Sequence, residues 1–411
     1  MKKLTTLIIT FFLLTTGLNS MANNHIIDYL RKVLVELEKI ESATYTQQRE
    51  GWQHGDAVPY QILNYFVKEF NNPADTTIGA SWANFSYEMP AKLAYAYNGK
   101  VRAVVYHENK GIIIDDFARF ANLPYIPIMP PFFNYTKSII HYAISTTDNT
   151  ILDLTDHDNY YHFRLVINED RQIEFFGRAY RMPPVSHILD KTSIYELWIC
   201  KSNNLPYKYR REMFQDIVVR FVSNVELNTL SIDDFNIHDF FPADYEIRTV
   251  QEHQDRRNQP SPNRLIGRKA PDWTLNDKDE QPMSLSDLKG RVSLINFTGI
   301  GCGPCHAAIP FLKELRETFG KDEFELVAME FWIRSSQSLQ NYSRRNELNY
   351  HLLSGTDRVI RDYQTGGAVP FFFILDRDLT VRKVIRGYSK ETTGQEILEA
   401  ISELILAGTS K

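Results

Sequence analysis

The stretch from Val292 to Phe319 (VSLINFTGIGCGPCHAAIPFLKELRETF) constrains this chain more than any other. Val292, Leu294, Ile295 and Phe297 mark a short apolar strand, and Thr298 to Gly301 a small-residue turn. Cys302-Gly303-Pro304-Cys305 then opens an amphipathic helix with Ile309, Leu312, Leu315 and Phe319 on one side. A Cys-x-x-Cys where a strand hands over to a helix is the arrangement expected of a dithiol redox centre. The first thiol stands where unpaired amide N–H groups and the helix dipole favour a thiolate. The second lies one helical turn on, close enough to close a disulfide. Pro304 has no N–H to lose and a preset φ, so it costs little in a first turn.

Two other chemistries compete for the same residues. Cys302 to His306 also matches Cys-x-x-Cys-His, the c-type haem attachment pattern. The strand before it, the helix after it and a Val-Pro pair well downstream argue against haem. A zinc site needs two further ligands at suitable spacing, and no second Cys or Cys/His pair offers them. No metal and no cofactor is therefore expected.

A chain of 411 residues suggests two or three domains with ample core. Net charge is −5 and no basic stripe is visible, so nucleic acid is not an expected partner. Three cysteines do not make a disulfide framework. Cys200, left over in the strand-like run Glu196 to Cys200, reads as a buried apolar residue rather than a third redox centre.

Residues 1–22 read as an export signal: Lys2 and Lys3, an apolar run from Leu7 to Leu14, then small residues at Ser20 and Ala22. The run is short for a membrane span, and no cysteine follows it to carry a lipid. The expectation is an exported protein, periplasmic and not a lipoprotein. His25 to Ile40 repeats apolar residues at helical spacing. From Ser42 to about Ile247 short aromatic and β-branched runs alternate with turns, among them Asn98-Gly99, a strong hairpin signal. Leu123 to Phe133, with four prolines, is expected to be an ordered loop or lid. His157 among Asp153, Asp156 and Asp158 reads as an acidic solvated turn rather than a metal loop. Residues 252–263, polar and ending in Pro260 and Pro262, are the expected linker between a domain over 23–251 and another over 264–411.

From about Arg264 to the end, the chain resembles the thioredoxin superfamily, in particular its TlpA/ResA-like thiol–disulfide oxidoreductases. Cys302 and Cys305 fall on that family's dithiol, Pro310 on its helix-kinking proline, and Pro370 in Gly366-Gly367-Ala368-Val369-Pro370 on its cis-proline. The lead-in Gly267-x-x-Ala270-Pro271-x-Trp273 and the run Leu285 to Gly290 also match. The resemblance implies an α/β thioredoxin-like domain that exchanges disulfides with client proteins and is re-reduced by an upstream electron donor. Gly303, Pro304, Val369 and Pro370 would support the site. Gly301 stands where the family usually has Trp, so a barer surface is expected beside the nucleophile. Asn296 replaces the buried proton-handling Asp and cannot titrate. Glu330 is a candidate substitute, though a strand-end carboxylate ordinarily meets water. His306 would either stabilise a thiolate or be exposed on the helix.

The N-terminal domain is expected to be α+β, one large curved antiparallel sheet packed on a helix. Its strand rhythm, Ser202 to Arg210 and Phe240 to Tyr245, is similar to the LolA/LolB lipoprotein carriers. That likeness implies a concave face for a lipid or a peptide. A binding or carrier protein with an accessory thioredoxin-like domain is thus the rival function.

Overall fold

The computed structural model describes residues 24–87, 92–184, 190–258, 264–332 and 335–409. Residues 1–22, read above as an export signal, and residues 259–263 of the expected linker lie outside them. The chain forms two compact units. One takes the chain up to Gly51 together with Ile62–Arg257; the other takes Trp52–Gln61 and Asn258–Lys411.

In the first unit, helix α1 (residues 24–38) presents Ile26, Leu30, Val33 and Leu37 to the core, all buried as the spacing requires. Strands β1 (Ser42–Trp52), β2 (Gln61–Asn71), β3 (Ala80–Ser86), β4 (Leu93–Tyr97), β5 (Arg102–Tyr106) and β6 (Gly111–Asp115) run as a meander. Gly99, at φ +91°, makes the expected turn between β4 and β5. After helix α2 (Phe132–Ser145) come β7 (Thr150–Asp156), β8 (Tyr160–Ile167), the small ribbon β9 (Ile173–Phe175) and β10 (Ala179–Arg181), then β11 (Ser193–Cys200), β12 (Pro206–Glu212), β13 (Ile217–Leu227) and β14 (Glu246–Thr249). Twelve strands share one sheet, in the order β14-β6-β5-β4-β3-β2-β1-β13-β12-β11-β8-β7. In β11, Ser193, Tyr195, Leu197 and Ile199 are buried while the alternate residues are half-buried, the period of a pleated strand.

Several details differ from expectation. The sheet is mixed, because β14 pairs parallel to β6. It packs on two helices, since residues of both α1 and α2 join the largest core cluster. Proline clustering holds the chain irregular as far as Pro131, and a helix starts at the next residue. Pro131 offers no side-chain cap, so the first amides are satisfied from elsewhere in the fold. The Tyr45 hydroxyl accepts from Phe132 N–H at 3.1 Å, and Glu69 accepts from Phe133 at 3.1 Å and Asn134 at 2.7 Å. The polar segment from Glu252 also differs from a linker in that helix α3 (Val250–Asn258) carries it.

In the second unit, β15 (Thr274–Asn276) pairs with β16 (Pro282–Ser284). There follow β17 (Val292–Thr298), α4 (Gly303–Thr318), β18 (Phe324–Glu330), α5 (Ser336–Arg345), β19 (His351–Ser354), α6 (Asp357–Asp362), β20 (Phe371–Leu375), β21 (Val381–Arg386) and α7 (Thr393–Thr409). The sheet order is β19-β18-β17-β20-β21. β17, β18 and β19 are parallel neighbours, and β20 and β21 antiparallel ones. β17 and β18 are buried at every residue because each sheet face carries its own core layer, as expected of parallel strands. Ile295, Phe297 and Phe373 enter one layer, while Leu294, Phe372, Leu312 and Ile401 enter the other. Tyr60, from the short N-terminal segment of this unit, packs with Leu339 and Tyr342 of α5. Asp56 accepts from Ser338 Oγ at 2.8 Å and Asn341 Nδ2 at 2.9 Å.

Candidate active site

Central strand β17 aims the chain at the candidate site. It is apolar on both faces and ends at Thr298, opposite Glu330 of β18. The turn that follows reaches Cys302, whose N–H donates to Gly299 O at 3.0 Å. Cys302 is the N-cap of α4, with extended backbone (φ −83°, ψ 113°), and its sulfur accepts from Cys305 N–H at 3.2 Å. A thiol at that position sees the unpaired amides of the first turn and the positive end of the helix, which favour its charged form. Gly303 and Pro304 occupy the first two helical positions. Cys302 and Cys305 are joined as a disulfide with Cα atoms 5.2 Å apart. Both are buried, Cys302 at 6% exposure and Cys305 at 3%. Pro310 lies inside α4.

The Val369–Pro370 peptide bond is cis. It leads directly into β20, whose Phe371 pairs with Phe297 of β17. Val369 and Pro370 therefore stand beside the end of β17 from which the dithiol turn departs. Pro370 is buried and Val369 half-buried. Of the residues singled out from sequence, β17, α4 and the entry to β20 bring Cys302, Gly303, Pro304, Cys305, Val369 and Pro370 to one end of one sheet.

The polar residues behind the dithiol differ from expectation. Glu330 does not meet water: it is fully buried. One carboxylate oxygen accepts Ile300 N–H at 2.6 Å and the other accepts Trp332 N–H at 2.7 Å. It thus ties the turn before Cys302 to the segment after β18. Asn296 is also buried, and its side-chain oxygen meets no donor among the described residues. His306 is not an exposed helix residue. It is 5% exposed and meets Tyr342 edge-on, ring centroids 5.2 Å apart. Burial pushes the Tyr342 hydroxyl well above the ordinary phenol range, with the Tyr350 hydroxyl and the Glu330 carboxylate adding to it.

Gly301 has φ +89° and open space where a side chain would project, as the missing Trp suggested. An aromatic group nevertheless stands at this turn. Trp332 is half-exposed and packs on Gly299, where an added Cβ would come within 2.6 Å of the indole. Nothing in the sequence marks Trp332, because it follows a strand rather than the cysteine motif. Cys200, in the other unit, is half-buried and not a core residue. Its thiol lies below the ordinary range because the Ser202 hydroxyl and nearby amides stabilise the thiolate. His157 stacks on Tyr160, and Asp156 pairs with Lys201.

Residues 266–384 match the AhpC/TSA family. The thiol–disulfide oxidoreductase ResA of Geobacillus thermodenitrificans is 27% identical over 137 residues, covering 33% of this chain and 78% of that protein. ResA of Bacillus subtilis is 27% identical over 135 residues, covering 33% and 75%. Among solved structures, a thioredoxin-family thiol:disulfide interchange protein from Chlorobium tepidum matches at 23% identity with a TM-score of 0.30, covering 33% of this chain and 95% of that one. StoA from Bacillus subtilis matches at 16% identity with a TM-score of 0.28, covering 32% and 96%. The family match leaves the N-terminal unit unassigned. Residues 266–384 form a thioredoxin-like thiol–disulfide oxidoreductase domain similar to ResA.

Proposed function

We propose that the protein is exported to the periplasm and reduces disulfides of client proteins there through Cys302 and Cys305. The observation that carries this reading is the Cys302–Cys305 pair at the N-cap of α4. The Cys302 thiolate attacks one sulfur of a client disulfide, and that S–S bond breaks. The released client thiolate takes a proton from water. Cys305, deprotonated, then attacks the Cys302 sulfur of the mixed disulfide, freeing the second client thiol and closing the enzyme disulfide. Two electrons pass to the client, and an upstream dithiol donor returns them. The direction rests on the Gly-Pro dipeptide between the cysteines, which matches thioredoxin-type reductases. Val369, at the entry to β20, offers backbone for a client strand to dock beside the dithiol.

The test is an equilibrium titration of the pair in mature protein against glutathione and dithiothreitol, read by thiol labelling. A reversible two-electron couple at a reducing potential is expected; an oxidising potential would recast the protein as a disulfide donor, and no couple would end the enzyme reading. Cys302→Ser should abolish insulin reduction, whereas Cys305→Ser should accumulate mixed disulfides visible on a non-reducing gel.

A further inference from the structure

The N-terminal unit holds a cleft of about 460 Å³ on one face of its large sheet. Its floor comes from β1 to β5 and β13, and Pro127–Pro131 forms a wall. That volume lies within the roughly 300–1,000 Å³ of small-molecule sites. The lining is unusual in composition. Tyr65, Trp82 and Tyr95 supply aromatic surface, with Trp82 and Tyr95 stacked at 5.9 Å. Arg49, Arg102 and Arg220 also line it, and among the described residues no carboxylate does.

Arg102 and Arg220 differ in how their charge is used. Arg102 is paired with Asp115, a buried carboxylate that Arg119 also contacts. Arg220 has no carboxylate partner among the described residues. Its Nη1 donates to Pro130 O at 3.4 Å, its guanidinium lies 5.8 Å from the Tyr209 ring centroid, and its Nε is buried without an acceptor. Glu69, a buried acid that the lining residue Tyr45 contacts, is engaged by the Tyr45 hydroxyl and the first amides of α2. A guanidinium in this setting lacks a planar anion such as a carboxylate or phosphate, which it recognises through paired N–H donors.

We infer that this cleft binds an amphipathic organic anion, its apolar body on Tyr65, Trp82 and Tyr95 and its carboxylate or phosphate at Arg220. The Arg220 guanidinium disfavours a cation, and the aromatic floor accounts for more than a free inorganic anion requires. The inference uses neither cysteine of the redox pair, so it stands or falls separately from disulfide exchange.

The test uses the full chain and two matched probe pairs followed by fluorescence: cis-parinaric acid against its methyl ester, and anilinonaphthalene sulfonate against uncharged phenylnaphthylamine. One saturable site is expected for at least one anion, at least tenfold tighter than for its uncharged partner. That preference should weaken as salt rises and collapse in Arg220→Gln. Parinarate binding alone would assign an acyl chain; sulfonate binding alone would assign an aromatic anion. If neither anion saturates, or if each binds no tighter than its uncharged partner, the inference is wrong. An Arg220→Gln chain with native circular dichroism and unchanged anion affinity would also overturn it. Should that variant not fold, the anion-to-neutral ratio and its salt dependence in the unmodified chain decide alone.

Discussion

Glu330 receives two amide N–H groups on its two oxygens, at 2.6 and 2.7 Å, with no exposure to water. A glutamine keeps one acceptor and turns an NH2 toward the other amide, leaving a buried donor unmet. Glu330→Gln should therefore cost about 2 kcal/mol by denaturant titration. Because one of those amides belongs to Ile300, the same variant should shift the reduction potential of the cysteine pair. Cys200 makes a separate prediction. Its thiol is lowered by the Ser202 hydroxyl first and then by amides, so more thiolate is present near neutral pH than for a free cysteine. With the 302–305 disulfide intact, iodoacetamide should label Cys200 alone, and Ser202→Ala should slow that labelling by a few-fold at pH 7.

At the scale of elements, the β20–β21 turn shows how a local motif is held by charge. Burial opposes ionisation of Asp376, but the Thr380 amide, Arg382 and the Asp378 amide outweigh it and hold the carboxyl below its usual range. Its oxygens accept from Asp378 and Thr380 N–H at 2.9 Å each and from Arg382 Nε at 2.7 Å. A folded pKa below the unfolded one means stability that is fully present above about pH 4 and lost as pH falls through the folded value. Asp376→Ala should thus cost about 1–2 kcal/mol at pH 7, and the difference from the unmodified chain should shrink below pH 3. Paired denaturation curves at the two pH values check it. The α2 helix illustrates the opposite case: its first turn is capped by Tyr45 and Glu69, far away in the sequence.

At the scale of the whole molecule, the second unit is discontinuous. Trp52–Gln61 belongs to it, through Tyr60 in an apolar cluster with Leu339 and Tyr342 and through Asp56 on Ser338 and Asn341. A chain cut to residues 258–411 loses those contacts but keeps the dithiol, both core layers and the full five-stranded sheet. It should retain disulfide exchange and unfold at least about 4 °C below the matching transition of the full chain. Asp56→Ala in the full chain should lower that transition in the same direction by calorimetry. Equal midpoints for all three would show that the segment contributes nothing.

The sequence by itself determined the thioredoxin-like unit and the placing of Cys302, Gly303, Pro304 and Cys305 at the start of its first long helix. Those signals are local: an all-apolar run demands a strand buried on both faces, and a Cys-x-x-Cys with a helical pattern behind it fixes where the cysteines sit. The α1 helix and the Asn98-Gly99 hairpin were legible for the same reason. Only the tertiary structure decided the start of α2, since its caps come from residues 87 and 64 positions away. It alone set Glu330 and His306 in the interior and brought Trp332 to Gly299, because burial and through-space contact have no period along a chain. It also gathered Arg49, Arg102 and Arg220 from three strands onto one aromatic cleft, a convergence that strand order creates and that linear spacing does not record.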